Sequence, residues 1–104
     1  MKHTSIVLMT LISLACSGPV LASEAMAKAD GCLNCHAVDS KKVGPAFKDV
    51  AAKYKGKADA EATLYKHVTT GPMVKVDGKE ERHEIIKSKD DREIKNAIAY
   101  ILSR

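Results

Sequence analysis

Apolar residues fall in a few blocks along the chain, and their spacing changes from block to block. Ile6 to Leu14 is a nearly unbroken apolar run, with Lys2 ahead of it and Pro19 behind. Beyond it, Glu24 to Asp30 predicts a short helix with Ala25, Met26 and Ala29 as its candidate buried face. Phe47, Val50, Ala51 and Tyr54 recur at helical spacing and predict a helix from Ala46 to Lys55, with Pro45 opening it and Gly56 ending it. Ala62, Leu64, Tyr65 and Val68 predict another, capped by Asp59 and closed at Gly71. Ile94, Ala97, Ile98, Ile101 and Leu102 form the last apolar stripe. Ser88-Lys89-Asp90-Asp91 ahead of it fits a capping box, so this helix is expected to begin near Ser88, with Tyr100 packing in the core. Between the last two helices, Val74-Lys75-Val76 running into Asp77-Gly78 has the pattern of a strand entering a tight hairpin.

The first block changes the domain count. A positive residue, an apolar run and the small-residue site Val20-Leu21-Ala22 are the parts of an export signal. Cleavage after Ala22 divides the 104 residues into a signal peptide, 1–22, and one domain, 23–104. A second match at Ala25-Met26-Ala27 leaves too few residues for the first helix. The apolar run is short for a membrane span, so no stable membrane insertion is expected after cleavage; an uncleaved anchor is the alternative. Cys16, in the lipobox-like Ile12-Ser13-Leu14-Ala15-Cys16, is read as part of the discarded peptide, because Ser13 stands where a large aliphatic residue belongs.

The chemistry sits in Gly31-Cys32-Leu33-Asn34-Cys35-His36. C-x-x-C-H is the signature of c-type haem attachment. Three residues apart on a helical turn, Cys32 and Cys35 reach one flat ring and add to its two vinyl groups as thioethers. His36 follows in position to bind the iron axially. A redox dithiol and half of a zinc site are the competing readings. No strand–helix alternation surrounds the motif as a dithiol fold would have it, and His67 and His83 are too far apart for a zinc finger. One covalent haem c also answers the composition. With no Trp and one Phe, a domain of about 80 residues has a marginal core that a porphyrin fills. Haem attachment to thiols occurs outside the cytoplasm, in agreement with export.

The motif, the block Val43-Gly44-Pro45-Ala46-Phe47-Lys48-Asp49-Val50-Ala51-Ala52-Lys53-Tyr54 and the last helix resemble small class I bacterial cytochromes c of the c-551/c-552 type. The resemblance implies an all-α fold, three main helices and short turns around one haem, with one ring edge exposed; the export signal makes the periplasm the expected location. It also implies that the Pro45 carbonyl holds the Nδ1 proton of His36, and that a basic side chain at His67 meets a haem propionate; a partly exposed helix histidine is the alternative at His67. The tryptophan that often contacts a propionate in this family is missing.

The family pattern breaks at the sixth iron ligand. Its methionine lies on a proline-rich loop just before the last helix, and residues 71–86 hold no Met-Pro pair. His83 stands almost where that methionine falls when counted back from the helix. Met73 has the right chemistry but lies at the start of the loop, and an open position is the third alternative. The metal ligands are therefore read as His36 and His83.

The net charge of +4, with lysines at positions 41, 42, 48, 53, 55 and 57, reads either as an ordinary solvated surface or as a ring that steers docking to periplasmic redox proteins with acidic surfaces. Export and interleaved acids argue against nucleic acid. The sequence supplies no nucleophile or paired-carboxylate site, so a monomeric electron carrier rather than an enzyme is expected. A haem subunit of a larger periplasmic oxidoreductase, or a gas-binding protein if the sixth position is open, are the alternatives.

Overall fold

The computed structural model describes residues 24–104; the expected signal peptide over 1–22, Cys16 included, lies outside the described residues. Helix α1 spans Glu24–Ala29 and is followed by a 3-10 turn over Cys32–Asn34. Helices α2 and α3 span Phe47–Tyr54 and Ala60–Thr70. Strands β1, Met73–Val76, and β2, Lys79–Arg82, precede α4, Asp91–Leu102. The described chain is mostly helical, and the small hairpin adds a sheet to an architecture expected to be all-α.

The hairpin forms where its turn residues predict it. Asp77 and Gly78 have φ of 49° and 82°, the sign that both central residues of a primed two-residue turn require. The strands pair from Val76 with Lys79 to Met73 with Arg82.

Helix α4 is the element the others share: α1, α2 and α3 all pack on it. Its buried Ile94, Ala97 and Ile98 join Leu64 of α3 and Ile86 in one apolar cluster. Tyr100 and Ile101 join Ala27 and Phe47 in a second, and Val50 packs against both. The Tyr100 ring meets Phe47 edge-on at 6.1 Å between centres, the core role expected of it.

Several local expectations give way to packing. The six-residue α1 touches α4 through Ala27, which is fully buried, while Ala25 and Ala29 are exposed. In α3 the inward row is Ala60, Leu64 and Val68, four residues apart, so Ala62 turns to solvent. Pro45 lies outside α2, ahead of its N-cap Ala46, with its carbonyl free for another donor. Asp59 holds the N-cap position of α3 without bonding an amide; its carboxylate accepts from Thr63 Oγ1 at 3.4 Å. The cap of α4 is Asp90, not Ser88. Its Oδ1 accepts from the amides of Arg92 at 2.8 Å and Glu93 at 3.1 Å. Ser88 Oγ instead accepts from the Asp90 amide and donates to Glu93 Oε2 at 2.6 Å. A carboxylate outcompetes a hydroxyl for the positive end of the helix.

Candidate functional site

Two walls face each other. The first is built from the attachment motif and the segment before α2. The 3-10 turn brings the amides of Cys35 and His36 to the Cys32 carbonyl at 3.3 and 3.0 Å. Residues 35–38 are then laced to 44–48: Gly44 N donates to Cys35 O at 2.7 Å, Phe47 N to Ala37 O at 2.9 Å and Lys48 N to Val38 O at 3.1 Å. His36 is held on three sides. Its Nδ1 lies 2.6 Å from the Pro45 carbonyl, and its ring stacks on Phe47 at 5.4 Å and 25°. A Cβ added to Gly44 would sit 2.9 Å from both ring nitrogens, so only glycine lets the backbone pass this close.

Cys32 and Cys35 are free and half-buried. Burial first, then the negative charge of Asp30, pushes the Cys32 thiol up to about 11. A redox dithiol needs the opposite shift, toward thiolate at neutral pH.

The second wall is the C-terminus of α3 with the chain that leaves the hairpin. Gly71 caps α3 in the left-handed region, φ 60°. From there the returning chain is bound to it residue by residue. Arg82 Nη1 donates to Gly71 O at 2.9 Å, His83 N to Pro72 O at 2.9 Å and Ile86 N to Val68 O at 2.9 Å. His83, half-buried, lies between these ties, and its Nδ1 approaches the Glu84 carbonyl at 2.7 Å. The His67 ring, from the last turn of α3, meets it edge-on at 4.5 Å. Burial, then the neighbouring His83, His36 and Lys53, lower the pKa of His67.

The ring centres of His36 and His83 are 6.1 Å apart, their planes tilted by 40°. The expected residues are thus brought together: Cys32, Cys35, His36 and Pro45 on one side, His67 and His83 on the other. Met73, the alternative ligand, is 55% exposed on β1. Sequence reasoning missed Gly44, Phe47, Gly71 and Arg82 as supports. Gly44 beside Pro45 carried a trace of its role, whereas nothing in the charged run 79–84 distinguishes Arg82.

A cytochrome c family model matches residues 21–104. Cytochrome c-551 of Pseudomonas aeruginosa is 48% identical over 68 residues, 59% of this chain and 65% of that protein. Cytochrome c-552 of Hydrogenobacter thermophilus is 49% identical over 53 residues, 51% of this chain and 52% of its own length. The chain thus spans about a half to two thirds of these curated relatives. Among solved structures, the class 1 cytochrome MtoD of Sideroxydans lithotrophicus ES-1 superposes with a TM-score of 0.73 at 49% identity, over 79% of this chain and 91% of that one. Wild-type cytochrome c552 of Nitrosomonas europaea gives 0.67 at 32%, over 78% and 98%. The fold is that of class I cytochromes c, and the chain belongs to the cytochrome c family, whose members carry one covalently attached haem c.

Proposed function

We propose that this cytochrome is a periplasmic one-electron carrier with its haem joined to Cys32 and Cys35 and its iron held between His36 and His83. The observation that carries the reading is the facing pair of imidazoles. The two ring centres stand 6.1 Å apart, close enough that one nitrogen of each would hold the same iron. Each ring also has its Nδ1 against a backbone carbonyl, Pro45 for His36 and Glu84 for His83. Donating that proton leaves Nε2 unprotonated and raises its basicity, the condition in which histidine ligates.

The haem supplies the ferric/ferrous couple; the polypeptide tunes it. Two imidazoles favour the oxidised iron and give a lower potential than a histidine–methionine pair. His67 walls the pocket beside His83. Its ring would meet a haem propionate, the role the family resemblance gives this position.

The export pattern of residues 1–22 and the need to attach haem outside the cytoplasm support the periplasm. Among the described residues no helix is long and apolar enough to cross a membrane. Partners with acidic surfaces fit the exposed lysines, and Lys42 Nζ donates to Leu33 O at 3.2 Å, inside the attachment turn.

Single replacements test the ligand pair. Ferric His83→Ala is expected to become high-spin in its visible and paramagnetic-resonance spectra, and Met73→Ala to keep the wild-type low-spin signal. The reverse result would overturn the assignment.

A further inference from the structure

The charged run 79–84 looks like solvated surface, yet one of its members reaches back across the hairpin to the main body. We infer that Arg82 is a positioning residue for the sixth ligand: by capping the C-terminus of α3 it keeps His83 in place against exchange with outside ligands. The inference rests on His83 being that ligand.

The last carbonyls of a helix lack intrahelical donors and form its negative end, where a cation is favoured. In α3 the Gly71 amide satisfies His67 O, and Ile86 N satisfies Val68 O. Beyond them the Gly71 carbonyl receives the Arg82 guanidinium at 2.9 Å. The bond is charge-assisted and partly shielded from water, which makes it one of the stronger kinds. Arg82 is also the last residue of β2, paired with Met73, so His83 is the first residue past the sheet. Its amide continues the ladder to Pro72 O.

The geometry on the α3 side is just as constrained. A Cβ on Gly71 would lie 2.6 Å from His83 O and 3.0 Å from Ile85 Cγ1, so the returning chain lies directly on the helix cap. Between Arg82 and Ile86 the chain is anchored at both ends, and His83 sits beside the first anchor. Any displacement of the His83 backbone therefore strains the Arg82 anchor next to it.

Cyanide binding to the ferric holoprotein reads this opening. It exchanges one ligand for another with no electron transferred, and at saturating cyanide its rate is the rate at which His83 lets go. Arg82→Met is expected to raise that limiting rate about tenfold, the effect of losing one such bond. Arg82→Lys, which keeps a cationic donor, should stay near wild type. Asp90→Ala removes the N-cap of α4 while leaving the Arg82–Gly71 bond in place and serves as the control, expected to leave the rate nearly unchanged.

Equal acceleration in Arg82→Met and Asp90→Ala would reduce the role to general stability and overturn the inference. A wild-type rate in Arg82→Met, with His83→Ala high-spin, overturns it while leaving the ligand assignment standing. A low-spin His83→Ala overturns both.

Discussion

At the scale of single residues, the site depends on what is missing as much as on what is present. Gly44 has no side chain because the His36 ring occupies the place where one would be. Gly44→Ala should therefore push the ring off the Pro45 carbonyl, at an overpacking cost of about 1–3 kcal/mol. A lower melting temperature together with a shifted low-spin spectrum is the expected outcome; a spectrum identical to wild type would show the ring has room. His67 carries the pH dependence. Its pKa is lowered in the folded protein, so the unfolded chain binds more protons as pH falls through the ordinary histidine value of about 6.5. Stability is then complete above that pH and declines below it. Denaturant midpoints between pH 7.5 and 5 should fall less for His67→Gln than for wild type. These two residues also mark the limit of reading from sequence. C-x-x-C-H names its own chemistry at any position in a chain, whereas the burial that depresses His67 exists only once α3 and the hairpin have met.

Elements were legible in proportion to their local signals. Asp77-Gly78 announces its turn, and the stripe of α4 announces its buried face, because both depend on backbone preference and period alone. The start of α4 was misread by two residues since two overlapping patterns fit: Ser88-x-x-Asp91 and Asp90-x-x-Glu93. The structure uses the second for the helix and keeps Ser88 as a bridge to Glu93. Removing the true cap, Asp90→Ala, should cost about 1 kcal/mol, a drop of about 4–8 °C in Tm for a domain this size. Ser88→Ala, which leaves both capping bonds in place, should cost distinctly less in the same thermal melt. The buried faces of α1 and α3 were misjudged for a different reason. Alanine is compatible with either environment, so its burial is decided by the neighbouring helix and not by its own chemistry.

For the whole molecule, the question is what holds about 80 residues together. Among the described residues, five of the twelve buried apolar ones are alanines, and Phe47 is the sole buried phenylalanine. Alanine buries little area, and at roughly 25 cal/mol per Å² such a core stabilises weakly against the entropy of ordering the chain. The apolar residues are also divided into two clusters. Cys32 and Leu33 pack against the one holding Phe47, and Val68 packs against the one holding Ile86. A large apolar ring attached at Cys32 and Cys35 and ligated from His83, as proposed, would border both and supply the area the side chains lack. Cys32→Ala/Cys35→Ala, purified without haem, should show far-UV circular dichroism of a largely unfolded chain, with no cooperative thermal transition. Adding haem to it should restore part of the helical signal through the two imidazoles, since the His36 ring rests on Pro45 and Phe47 and the His83 ring on Glu84 and His67, and not on the thioethers. A haem-free variant that melts cooperatively at the wild-type temperature would mean that α4 and its alanine-lined contacts suffice, and that the porphyrin is cargo in a finished fold.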